Sequence, residues 1–202
     1  GGTASYGSAA GSRVMTSPIN TPPRATPAVI GVTGWSGSGK TALIVRLIPE
    51  LASRGYRVAT VKHAHHAFDI DTPGKDSFEH RAAGATEVVV SSAKRWAIMH
   101  ENRDEAEPAL EDLLARLSPV DIVLVEGFKN EAHTKIEVHR PATGTELICT
   151  TNPSIVAIAS DAAVAVGSPA GIIPVLDLNN TATIADFVIA HCGLAGRQEE
   201  AV

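Results

Sequence analysis

Cysteine is nearly absent: Cys149 and Cys192 are the only two, far apart and in no C-x-x-C pattern. That usage excludes a disulfide framework and a cysteine zinc site, and it fits a reducing compartment. Positive charge is also short. The formal net charge of −5 gives no electrostatic footing for nucleic acid or an anionic membrane surface. Nor is there an uninterrupted apolar run long enough to span a membrane. The longest apolar region, Ile155 to Leu176, is broken by Asp161, Gly167, Pro169, Gly171 and Pro174, which excludes a membrane helix. No secretory signal pattern opens the chain, and no internal repeat runs through it. These absences predict a cytoplasmic protein.

What is present is ordinary in bulk and particular in detail. The 202 residues, 44% hydrophobic and 19% charged, suffice for one well-packed α/β domain. Within them Gly34-Trp35-Ser36-Gly37-Ser38-Gly39-Lys40-Thr41 fits G-x-x-x-x-G-K-[ST], the phosphate-binding loop, at every fixed position. Ala28 to Val32 before it is a short β-branched run, as expected of a buried parallel strand. After it Leu43, Ile44, Leu47, Ile48 and Leu51 recur at helical spacing from Thr41 to Leu51, with Pro49 placed to kink or shorten the helix. Gly34, Gly37 and Gly39 let the backbone turn tightly, so successive N–H groups point into one concavity. The helix beginning near Lys40 adds its partial positive end. Lys40 is then expected to place an ammonium between the β- and γ-phosphates, and the Thr41 hydroxyl to ligate Mg²⁺. The chain is expected to bind a nucleoside triphosphate.

Residues 1–27 are expected to be a disordered tag remnant and Pro-rich lead-in, with Met15 as the native start, residues 28–192 the nucleotide-binding domain, and residues 193–202 a flexible tail. Beyond the first helix, strands are expected at Tyr56–Val61, Thr86–Ser91, Arg95–His100, Val120–Val125, Lys135–His139, Ile155–Ser160 and Ile173–Leu176. Helices are expected at Lys75–Ala83, Pro108–Leu117 and Thr181–His191. The two runs nearest each other, Thr86–Ser91 and Arg95–His100, predict a hairpin. Lys135–His139 alternates like a strand with one wet face. The whole reads as a doubly wound, mostly parallel α/β sheet with a β-hairpin extension.

Open parallel sheets bind ligands outside the carboxyl ends of their strands, which selects the remaining candidates. Glu126 ends the most strand-like run and is followed by Gly127; it is a candidate for the acid, usually Asp, that contacts Mg²⁺ or its water, or is an ordinary polar residue at a strand end. Asp69 and Asp71 follow the second strand; either can bind Mg²⁺ through water or order an attacking group, and Asp71 is preferred because Pro73-Gly74 fixes it. His63, His65 and His66 with Asp69 offer a zinc reading, against which stands a loop that senses phosphate or contacts a partner. Lys62 adds charge near the triphosphate, or is a surface lysine. No Asn-Lys-x-Asp motif is present to read guanine; Asp161 and Asp177 are candidates to accept from guanine N1 and N2, or are turn residues.

Several of these stretches together resemble a known family. The phosphate loop, Lys62-His63-Ala64-His65-His66, Asp69-Ile70-Asp71-x-Pro73-Gly74-Lys75-Asp76-Ser77, Arg81-Ala82-Ala83-Gly84-Ala85 and Val125-Glu126-Gly127-Phe128-Lys129 match in order and spacing the molybdopterin-guanine dinucleotide biosynthesis adaptor (MobB) family. The resemblance implies a GTP-binding P-loop protein with weak GTPase activity. It also implies a homodimer that assists the guanylyltransferase MobA in molybdenum cofactor biosynthesis. Trp35 and Ser36 occupy the region where many P-loops of the wider class carry an extra lysine, so a lysine donated across a dimer is not expected. Turnover is expected to be slow, because no arginine finger or glutamine is placed to complete the site. A small-molecule kinase with Asp71 as base, and an adaptor that binds nucleotide without hydrolysing it, are the alternatives.

Overall fold

The computed structural model describes residue 24 and residues 26–64, 68–164 and 172–194. Six strands form one parallel sheet: β1 (Ala28–Thr33), β2 (Val58–Lys62), β5 (Ile122–Glu126), β6 (Lys135–His139), β7 (Ile155–Ser160) and β8 (Val175–Asp177). Their order is β2-β5-β1-β6-β7-β8. Two more strands, β3 (Glu87–Ser91) and β4 (Trp96–His100), pair antiparallel as a separate two-stranded sheet. The helices are α1 (Lys40–Ser53), α2 (Asp76–Ala82), α3 (Leu110–Ala115) and α4 (Thr181–His191). This is the doubly wound sheet with a hairpin that the pattern of runs predicts.

Each face of the sheet follows from the two-residue period of its strands. Ile30 and Val32 of β1, Ile122 and Leu124 of β5 and Ile136 and Val138 of β6 point to the side covered by α1 and α4, in one cluster with Leu43, Leu47, Leu51, Ile184 and Val188. Val61, Val123 and Val125 point the other way, where Leu110 of α3 covers them. Pro49 does not end α1, which continues to Ser53; the exposed side of a helix leaves the freed carbonyl to water.

Two expectations need correction. Strand β2 begins at Val58, not Tyr56. Tyr56 is buried with its hydroxyl donating to the Leu194 carbonyl at 2.9 Å, and Arg57 pairs with the buried Asp121 at 3.1 Å. Strand β6 has no wet face, because all five of its residues are buried. It lies between β1 and β7, and two of its polar side chains, Lys135 and Glu137, find their partners in neighbouring segments. The Lys135 ammonium donates to the Glu131 and His133 carbonyls, and Glu137 accepts the Ile148 and Cys149 N–H groups at 2.8 and 2.9 Å. Alternation of polar and apolar residues marks a wet strand only where nothing else supplies partners.

The expectations placed on residues 1–23, on His65 and His66, and on the tail from 195 onward lie outside the described residues. Among the described residues no helix is long and apolar enough to cross a membrane.

Candidate functional site

β1 runs directly into the glycine-rich loop, and the loop runs into α1. Gly34 leaves the strand at φ +142°, and a Cβ there would meet the Val138 carbonyl of β6 and the Ser38 hydroxyl; only glycine fits so close an approach. Ser38 is 4% exposed and its Oγ has no protein partner, an uncommon state for a buried hydroxyl. The Lys40 ammonium folds back over the loop and donates to the Gly34 and Trp35 carbonyls at 3.0 and 2.9 Å. Ser36 and Gly37 form the exposed rim.

Glu126 stands where its strand order puts it, beside the start of α1. Its Oε1 accepts from the Thr41 hydroxyl at 2.9 Å, and the Lys62 ammonium lies 3.7 Å away. Register explains both contacts: Glu126 is aligned with Val32 on one side and with Lys62 on the other. A hydroxyl and a carboxylate at this separation are the hard oxygen pair that suits a Mg²⁺ ion retaining most of its waters. Thr41, Glu126 and Lys62, singled out from sequence, are thus brought together.

The site is rich in positive charge. Burial pushes the Lys40 ammonium below its ordinary value; the Glu126 carboxylate opposes this, and Lys129 and Lys62 add to it. A site in which three ammonium groups crowd one carboxylate is poised for an anion. Lys129 carries no role in the sequence reading beyond its place in the Val125–Lys129 stretch. Its ammonium sits 5.7 Å from the centroid of the Trp35 ring, a cation–π distance, while the Trp35 indole N–H donates to the Glu146 carbonyl at 2.7 Å. Arg140 was likewise missed, although it follows a strand at its carboxyl end, the position that selected the other candidates. Its Nε donates to the Ser38 carbonyl at 3.0 Å and its Nη1 to Asp161.

The turn after Glu126 is tightly made. Gly127 has φ +96°, Phe128 φ +50°, and a Cβ on Gly127 would fall 2.7 Å from the Cβ of His63. His63 packs its ring on Phe128 at 5.0 Å and pairs through Nε2 with Glu107 at 2.7 Å. His63 therefore reaches the site through the turn that carries Glu126.

Asp71 is placed differently from its expected role. Its Oδ1 accepts from the Thr72 N–H and the Ser77 hydroxyl, and its Oδ2 faces Arg81 at 3.3 Å. Arg81 also holds Asp69 at 2.8 Å and Glu101 at 2.6 Å, so this cluster fastens the loop to α2 and to the end of the hairpin. No hydrogen bond or ion pair among the described residues joins Asp71 to Thr41 or Glu126. Asp177 accepts the Asn179 N–H at 2.8 Å, a turn contact. Among the described residues no group of three His, Cys, Asp or Glu side chains could hold a metal ion by itself, so a Mg²⁺ ion here would rest on Thr41, Glu126 and the nucleotide.

Comparison with known proteins matches residues 29–161 to the family model described as molybdopterin guanine dinucleotide synthesis protein B. The chain is 42% identical to the molybdopterin-guanine dinucleotide biosynthesis adapter protein of Escherichia coli over 80% of its own length and 91% of that protein. To the adapter protein of Haemophilus influenzae it is 39% identical, over 79% and 86% of the two chains. A solved structure of molybdopterin-guanine biosynthesis protein B superposes with a TM-score of 0.63 at 28% identity, covering 81% of this chain and 99% of that one.

Proposed function

The chain belongs to the molybdopterin guanine dinucleotide synthesis protein B family, and from that premise we propose that it is a GTP-binding adapter with weak GTPase activity in molybdenum cofactor biosynthesis. The observation that carries the nucleotide half of this reading is the 2.9 Å contact between Thr41 and Glu126 at the start of α1, beside a phosphate loop that Lys40 closes over. In this reading the loop amides and Lys40 hold the β- and γ-phosphates, and Lys62 adds charge at the rim. Thr41 and Glu126 hold Mg²⁺, which supplies charge neutralisation on the phosphates when bound. A water-ordering role for Asp71 requires its carboxylate to leave Arg81, which agrees with slow turnover in the isolated protein.

The guanylyltransferase MobA is the proposed partner, in the cytoplasm, and the proposed assembly is a homodimer. Support for an assembly comes from the hairpin: Val89, Val90, Trp96 and Ile98 are 46–64% exposed on a two-stranded sheet, which alone is marginally stable.

Titration with GTP and with ATP in the presence of Mg²⁺, by calorimetry, tests the reading. GTP is expected to bind more tightly than ATP, and Lys40→Ala to weaken GTP by roughly a hundredfold, the size of two charge-assisted bonds to the β- and γ-phosphates. Preference for ATP would favour a kinase; failure to bind either nucleotide would sink the nucleotide reading.

A further inference from the structure

Three neighbouring strands end side by side at the loop. Thr33 ends β1 and leads into the loop, Arg140 follows the last residue of β6, and Asp161 follows the last residue of β7. The register pairs His139 with Ser160, so the next residues, Arg140 and Asp161, leave the sheet together. Arg140 is the middle of the three. Its Nε donates to the Ser38 carbonyl at 3.0 Å, and its Nη1 to Asp161 Oδ2 at 2.5 Å. A Cβ built on Gly39 would lie 3.5 Å from Nε and from Nη2, so the guanidinium lies directly against the peptide that precedes Lys40.

The geometry of that peptide gives the contact its consequence. In a trans peptide the carbonyl and the following N–H point in opposite directions. Drawing the Ser38 carbonyl toward Arg140 therefore turns the Gly39 N–H away from the guanidinium. Asp161 fixes the guanidinium in the plane that allows this. Two donors at a set angle can satisfy a carbonyl and a carboxylate together, which an ammonium on a flexible stem cannot do in the same way.

We propose that Arg140 is a positioning residue for the phosphate loop, locked in place by Asp161, and that the pair presets the Gly39 amide for the nucleotide's phosphates. The inference rests on the nucleotide reading above. It gives Asp161 a role through Arg140, in place of the guanine contact expected from sequence. The two roles differ in what they should discriminate: a loop brace serves any purine triphosphate alike, whereas a carboxylate on guanine N1 and N2 favours GTP over inosine triphosphate, which lacks the N2 amino group.

The test uses the full chain carrying Trp96→Phe, so that Trp35, which lies in the loop, is the sole tryptophan. Trp35 emission is followed during titration with GTP and with inosine triphosphate in Mg²⁺. Arg140→Ala and Asp161→Asn are each expected to shift Trp35 emission without nucleotide and to weaken both nucleotides roughly tenfold, the size of one charge-assisted bond. The double variant is expected to be no weaker than Arg140→Ala alone, because both substitutions remove one interaction. Arg140→Lys keeps the charge, and is expected to keep the melting temperature while still losing roughly fivefold in affinity; it serves if the alanine variant fails to fold. Losses that add, or an Asp161→Asn loss confined to GTP, place Asp161 on the base and overturn the proposal. So does unchanged affinity in either Arg140 variant. If the parent itself binds neither nucleotide, the nucleotide reading fails, and the brace with it.

Discussion

Single side chains carry most of what this site can do, and their charges decide how. Glu126 faces Thr41 at 2.9 Å and Lys62 at 3.7 Å, and it is the only carboxylate among the described groups that perturb Lys40. Glu126→Gln keeps an oxygen for the Thr41 hydroxyl but removes the charge that a divalent cation needs. Titration with and without EDTA should then show GTP affinity that no longer responds to Mg²⁺, together with tighter metal-free binding, since the carboxylate no longer repels the phosphates. His133 carries a separate expectation. Its ring packs against Gly31, neither ring nitrogen has a protein partner, and burial, helped by Lys135, lowers its pKa from 6.5 to about 4. The unfolded chain therefore takes up the proton first as pH falls. Stability from this group is complete above pH 6.5 and is lost on the way down to pH 4. Melting temperatures across that interval should fall in the native protein and fall less in His133→Gln. At this scale the placement of Lys40, Thr41 and Glu126 near one another was legible, because the loop motif and the end of an apolar strand fix where each stands. Lys129 and Arg140 were not, because their contacts to Trp35 and Ser38 arise from strand order, which no local pattern states.

Elements were legible wherever apolar periodicity was strong. The runs that became β1, β5, β7 and α4 hold their register from sequence to structure, with shifts of a residue or two at the ends. β6 was legible as a strand but not as a buried one, since Lys135 and Glu137 draw their partners from loops outside the strand. Pro49 shows the opposite case, a local rule that packing overrides. Leu47 and Leu51 on either side are wholly buried, and their burial holds α1 together across a position that forfeits a helical hydrogen bond. Pro49 itself is exposed, so its replacement opens no cavity. Pro49→Ala should therefore stabilise the protein by about 1–2 kcal/mol, the helix gain less the entropy that proline removes from the unfolded chain. A chemical denaturation midpoint, compared at constant slope, measures it.

For the whole molecule the hairpin is the feature that a single copy leaves unexplained. The β3–β4 pair hydrogen-bonds to neither edge of the main sheet, and it exposes Val89, Trp96 and Ile98 on one face and Val90 on the other. The proposed homodimer through this surface predicts that Ile98→Lys shifts the mass measured by light scattering toward one chain. GTP affinity should stay within about twofold, because the loop and Glu126 lie on other elements. An unchanged mass would move the interface elsewhere.

The strand order also bears on how the chain reaches this state. β2 and β5 are neighbours although Lys62 and its partner Glu126 stand about sixty residues apart, and β1 and β5 are separated by still more chain. Between β6 and β7, in contrast, partners such as Val138 and Ala159 are only about twenty residues apart. Closing short loops costs less entropy and happens sooner. Within the main sheet, β6 and β7 are therefore expected to pair before β1 arrives between strands distant from it in sequence. Arg140 and Asp161 would be paired before the segment they brace takes its place, so the phosphate loop is moulded on a partner already waiting for it.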